Sequence, residues 1–66
     1  MRFYFDIRNG VPNRDTAGRE FDSVSEAILH AKSLAEEFRN RQQHQGRSSR
    51  VCVISENGAL VHEERL

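Results

Sequence analysis

Three histidines, one cysteine and a scatter of carboxylates are the side chains here from which catalysis or metal binding could be built. His30, His44 and His62 are far apart along the chain. His30 stands next to Ala31 at the margin of an apolar helical stripe, where it reads as a boundary residue rather than a ligand. Cys52 and His62 form the one nitrogen–sulfur pair that a hairpin register brings together. Such a pair can bind zinc or activate a thiolate. Zinc needs two further ligands, and a nucleophile needs an orienting group and an oxyanion site. Neither is visible, so the pair reads as a cysteine and a histidine on a half-covered sheet face. Asp6, Asp15, Glu20 and Asp22 lie near turns, but their spacing matches no calcium loop. Asp15 is explained as a turn starter and Asp22 as a helix-entry residue. The glycines are isolated from one another, so no phosphate-cradling loop exists. The expectation is a protein that is not an enzyme and holds no cofactor or metal.

Binding chemistry has more material. Tyr4 falls on the opposite side of its strand from Phe3 and Phe5, with Arg2 and Arg8 alongside. An aromatic among arginines on a sheet can stack bases, and tyrosine is equally at home in a protein interface. Arg39, Arg41, Arg47 and Arg50 gather with His44 around the end of the helix. They are the candidate nucleic-acid contacts, although a solvated polar run explains them as well. Ten basic residues balance ten acidic ones. A nucleic-acid binder normally carries a basic surplus, so RNA or DNA binding stands as the alternative. Zero net charge also gives little repulsion between copies.

These residues are positioned by a simple set of elements. Phe3, Phe5 and Ile7 alternate with Arg2, Tyr4, Asp6 and Arg8, the period of a half-buried strand. Asn9-Gly10 marks a turn, and Pro12 confines the next segment to an edge or a loop. Asp15-Thr16-Ala17-Gly18 has the form of a type I turn closed by a left-handed glycine, and Arg19 to Phe21 return briefly as a strand. A capping box, Ser23-Val24-Ser25-Glu26, opens a helix running to about Gln45, with Gly46 as its stop. Its apolar residues, Val24, Ala27, Ile28, Ala31, Leu34, Ala35 and Phe38, keep one stripe. The last arm is a hairpin. A two-residue Asn57-Gly58 turn pairs Val53 with His62. A three-residue loop, Glu56 to Gly58, pairs Ser55 with Ala59, Ile54 with Leu60, Val53 with Val61, Cys52 with His62 and Arg50 with Glu64. The second register matches like with like and is preferred.

The fold class is therefore α+β: a single two-layer ββαββ domain over residues 1–66, with one amphipathic helix on a small antiparallel sheet of three or four strands. One helix covers one sheet face. The other face carries Tyr4, Cys52, Ile54, Leu60 and His62 as candidate interface residues. A contiguous apolar patch there needs a cover, so the expected function is a non-enzymatic interaction module that self-associates through its sheet as a homodimer, with an unknown protein partner as a further option. No apolar run approaches the ~20 residues of a membrane span. No leader pattern opens the chain, and the lone Cys52 suits a reducing compartment. The expected location is cytoplasmic.

Arg2-Phe3-Tyr4-Phe5-Asp6-Ile7-Arg8-Asn9-Gly10, Asp15-Thr16-Ala17-Gly18, Glu26-Ala27 and Val51-Cys52-Val53-Ile54-Ser55-Glu56-Asn57-Gly58 appear in this order and spacing. Together they resemble the family of small bacterial proteins called domain of unknown function 6894. Ser55, where that family tends to have aspartate, and the charged Glu63-Glu64-Arg65 depart from the pattern. The resemblance implies a ββαββ arrangement and no catalytic residue. Asp15, Gly18, Glu26 and Ala27 are also similar to the amino-terminal domain of HicB-type antitoxins. That similarity implies an antitoxin-like regulatory accessory protein binding RNA or DNA. Such antitoxins often add a DNA-binding segment, for which this sequence shows no counterpart.

Overall fold

The computed structural model describes residues 1–8, 12–41 and 49–65 of the chain. In chain order the elements are β1 (Arg2–Arg8), β2 (Pro12–Asn13), β3 (Arg19–Glu20), α1 (Val24–Arg41), β4 (Arg50–Ser55) and β5 (Leu60–Arg65). The expected turn at Asn9-Gly10, the helix stop at Gly46, and His44 and Arg47 lie outside the described residues.

The sheet is antiparallel throughout, in the order β2-β1-β4-β5. β3 shares the β2 edge of β1: Ile7 and Arg8 pair with Asn13 and Pro12, whereas Arg2 and Phe3 pair with Glu20 and Arg19. The edge is thus one strand split by an excursion over residues 14–18, and the sheet is four positions wide. Pro12 sits on that edge, where it breaks no interior ladder. β3 and β4 flank β1 and are both antiparallel to it, so they run parallel to each other. A parallel connection needs a long crossover. Here α1 supplies it, which puts the helix on one face only.

The capping box forms in a shifted version. The Ser23 hydroxyl accepts from the Glu26 amide at 3.2 Å, and the Glu26 carboxylate reaches back to the amide of Asp22 at 3.3 Å. The expected stripe faces the sheet in its centre. Ala27, Ala31 and Ala35 are fully buried against Phe3, Phe5, Val51 and Val53, with Ile7, Phe21, Leu34 and Val61 packed around them. Val24, at the first turn, lies outside this core and is exposed. Phe21 makes edge-to-face contacts with Phe3 and Phe5, at centroid distances of 6.1 and 5.7 Å. His30 completes this aromatic group, 4.9 Å from the Phe5 ring and 5.5 Å from Phe21. It is therefore a packing residue at the rim of the core, as its place beside Ala31 suggests.

The β4–β5 hairpin is the one place where the preferred register fails, and it fails only in part. The loop is Glu56 to Gly58, as expected. The Ser55 amide donates to the Ala59 carbonyl at 2.8 Å, Gly58 takes φ +87°, and Ile54 faces Leu60. A bulge then intervenes, with Val61 as the extra residue. Beyond it Val53 faces His62, Cys52 faces Glu63, Val51 faces Glu64 and Arg50 faces Arg65. The expected pairs Val53–Val61, Cys52–His62 and Arg50–Glu64 are all displaced by one residue. Val61 packs against the core, and the bulge brings Glu64 to the helix side, where its carboxylate is 3.4 Å from the Lys32 ammonium.

Candidate functional site

The register decides which side chains share the face that α1 leaves open. Directly paired residues of neighbouring strands point the same way. On β1 the open face carries Arg2, Tyr4, Asp6 and Arg8; on β4 it carries Arg50, Cys52 and Ile54; on β5 it carries Leu60, Glu63 and Arg65. His62 is not among them. Paired with Val53, it turns to the helix side, and its Nε2 lies 2.7 Å from the Glu64 carboxylate. That contact comes first in holding the Glu64 carboxyl below its ordinary value, against the opposing effect of burial, with Lys32 adding to it. The candidate Cys52–His62 pair is thus separated across the sheet. Cys52 is 1% exposed between Asp6 and Glu63.

The 14–18 excursion folds over the β1 side of this open face, and Asp15 fastens it. Between the pairings with β2 and β3, the Phe5 amide has no strand opposite it. One Asp15 carboxylate oxygen accepts that amide at 3.1 Å, and the other accepts the amides of Ala17 and Gly18, each at 3.1 Å. The Asp15 amide in turn donates to the Asp6 carboxylate at 3.1 Å. Burial pushes the Asp15 carboxyl up, but the amides of Phe5, Gly18 and Ala17 together outweigh it and hold the group below its ordinary value. The turn-starter role expected of Asp15 is present, and it extends to filling a gap in the sheet edge. Arg2 ties the far end of the excursion down through the Ala17 carbonyl at 2.8 Å and the Glu20 carboxylate at 3.2 Å. Gly18 takes φ +74°, and a Cβ there would stand 2.8 Å from Cε2 of Tyr4. The peptide backbone therefore lies against one edge of the tyrosine ring.

What remains of the face is a groove of 340 Å³. Tyr4, Asp6 and Ile54 form its floor, the excursion residues Arg14, Asp15 and Thr16 one wall, with Arg8 and Gly58 completing the lining. Beside it, on β5, Leu60 is 55% exposed. The candidate interface residues Tyr4, Ile54 and Leu60 are thus brought together, Cys52 lies buried beneath the same face, and His62 is elsewhere.

The candidate nucleic-acid arginines are dispersed. Arg39 extends from α1 to donate to the Arg65 carbonyl at 2.6 Å. Arg50 is on the open face, 3.5 Å from the Glu63 carboxylate. Arg41 ends the helix, its side chain lying outside the described residues together with Arg47. Two other arginines matter more: Arg8, which the sequence places alongside Tyr4, and Arg14, which sequence reasoning passed over; both are exposed and both are at the groove. Arg8 could be placed by its strand period, but nothing local in the sequence shows that Arg14 returns beside it.

The sequence pattern described as Domain of unknown function (DUF6894) matches residues 2–66. The chain belongs to the DUF6894 family. No curated protein and no solved structure matches it. For this DUF6894 domain, the residues that carried the resemblance now have structural explanations. Arg2, Asp15 and Gly18 secure the excursion, Glu26 caps the helix, and Val51 to Gly58 form the central strand and its turn. No helix is long and apolar enough to cross a membrane, and no group of three metal-binding side chains occurs among the described residues.

Proposed function

We propose that this domain is a non-enzymatic interaction module that associates with a second copy of itself through the sheet face opposite α1. The observation that carries this reading is Leu60, 55% exposed on a strand face beside half-buried Ile54, with none of the described elements over it. The same face bears both charge signs, Arg8 and Arg14 with Asp6 and Glu63. A two-fold interface must be self-complementary, and a mixed face meets that need while a single-sign face does not. A domain of this size also gains stability from association. The non-enzymatic reading is supported by Asp15 and Asp6, whose carboxylates are occupied in accepting backbone amides. A buried lone thiol is consistent with a cytoplasmic setting.

Sedimentation equilibrium from micromolar to millimolar protein tests the reading. A concentration-dependent dimer that Leu60→Glu abolishes, with unchanged circular dichroism, supports it; a wild-type monomer across the whole range overturns it. The alternative, RNA or DNA binding, has the Tyr4 ring edge occupied by Gly18 against it. Binding that weakens steeply with salt would revive that alternative.

A further inference from the structure

The groove beside Tyr4 combines two guanidinium groups with a partly apolar floor. We infer that this groove is a binding site for a small phosphate-bearing molecule, with Arg8 and Arg14 holding the phosphate and Tyr4 and Ile54 supporting the organic portion. The inference needs only one copy of the chain, and its groove shares Arg8, Arg14 and Ile54 with the face proposed for the dimer.

Four observations support it. First, among the described residues neither Arg8 nor Arg14 has a carboxylate within ion-pair distance, although both Asp6 and Asp15 line the same groove. The acids are engaged elsewhere: Asp15 by three amides and Asp6 by one. Their oxygens are thus turned to backbone amides, which leaves the two guanidinium groups without a carboxylate contact among the described residues. Second, the register places Arg8 directly opposite Arg50, and Arg50 opposite Arg65. Like charges facing one another across a sheet oppose strand pairing. Glu63 relieves this at Arg50, 3.5 Å away, and an anion at Arg8 would relieve it at the other flank. Third, a phosphate dianion matches two guanidinium groups, each of which presents a planar fork to its oxygens. Thr16, also at the groove, offers a hydroxyl donor. Fourth, a volume of 340 Å³ falls within the range of small-ligand sites, and Tyr4 and Ile54 supply apolar surface for a compact organic group. A single carboxylate would match one guanidinium and leave the other unmet.

The test is a nitrogen–proton correlation titration of the full chain. The probes are inorganic phosphate, phenyl phosphate and acetate at constant ionic strength, run on wild type, Arg14→Gln and Lys32→Gln, a cation on the helix away from the groove. The expected result is saturable shifts at the amides of Tyr4, Asp15, Thr16 and Gly58. Phenyl phosphate should bind about tenfold more tightly than phosphate, because burial of its ring on the floor contributes as apolar area. Arg14→Gln should weaken both phosphates about tenfold or more, and Lys32→Gln should leave them unchanged. Three results would overturn the inference: no saturation by either phosphate, acetate binding as well as phosphate, or equal weakening by both substitutions. Tight binding of a single-stranded oligonucleotide with no response to the free phosphates would also overturn it, in favour of a nucleic-acid surface. Leu60→Glu serves as the monomeric control. If it binds phosphate normally while failing to dimerise, the two readings are separated. If wild type is a monomer that still binds phenyl phosphate, only the dimer reading falls.

Discussion

Removing the Asp15 carboxylate should cost this domain a large part of its stability. Asp15→Ala leaves the Phe5 amide without its acceptor in the gap between β2 and β3, and it unfastens the amides of Ala17 and Gly18. Hydrogen bonds to a charged acceptor contribute about 1.5–3 kcal/mol each. The exposed Ala17 amide can turn to water once released, so the part-buried Phe5 and Gly18 amides carry most of the loss. The expected cost is about 2–4 kcal/mol, against a total stability of about 3–10 kcal/mol for a chain of this length. Asp15→Asn keeps one acceptor oxygen but presents an amino group where the other stood, and should cost about half as much. Urea unfolding followed by circular dichroism measures both. The pH dependence gives an independent reading. Folding lowers the Asp15 pKa, so the unfolded chain takes up the proton more readily. Stability from this group is full above the ordinary carboxylate value and is lost as pH falls from there through the folded value. Asp15→Asn should flatten that acid limb. If Asp15→Ala lies within about 0.5 kcal/mol of wild type, the range of an ordinary surface substitution, the account of the split edge is wrong.

Gly18→Ala should destabilise more than Gly58→Ala. Both glycines have positive φ, but a Cβ at Gly18 meets Tyr4 and Arg2 under 3 Å, while at Gly58 it meets open space; about 1–3 kcal/mol of crowding should separate them in the same urea assay. His30 should contribute a second pH-dependent step. Burial foremost, with Arg19 adding and Glu37 opposing, lowers its folded pKa below the usual histidine value, so stability falls as pH drops through and below that value; His30→Gln should remove that slope from thermal melts between pH 7 and 5. Cys52, 1% exposed, should resist a thiol reagent in the native state and react fully in denaturant. Ala31→Leu should destabilise by about 1–3 kcal/mol through overpacking of a fully buried site, read from the urea midpoint.

The parts of this fold that were legible in the sequence are those governed by local period and local capping. The alternation Phe3-Phe5-Ile7 and the alanine-rich stripe state which sides face inward, and Ser23 and Glu26 state where the helix begins. The Glu56–Gly58 loop follows from turn chemistry. What was not legible depends on distant pairing. The bulge at Val61 turns Glu64 towards Lys32 on the helix, a contact that is not visible within the hairpin. Each of the two registers weighed from the sequence describes part of the real one: the three-residue loop holds at the turn, and the Val53–His62 pairing holds beyond the bulge. The groove was hidden for the same reason. Its Arg14 wall exists because β2 and β3 share one edge of β1, a tertiary fact that leaves Asp15 opposite Phe5.

Ala27, Ala31 and Ala35 form the seat of the helix on the sheet. Alanine has no side-chain torsion to freeze, so docking that seat costs no rotamer freedom, whereas longer aliphatic groups each lose some on burial. The layers therefore meet through methyl groups that are ordered as soon as the backbone is. A thin core gains here by a small entropic loss what a larger domain obtains through volume, and orientation is left to the bulkier neighbours Phe5, Phe21 and His30 at one flank.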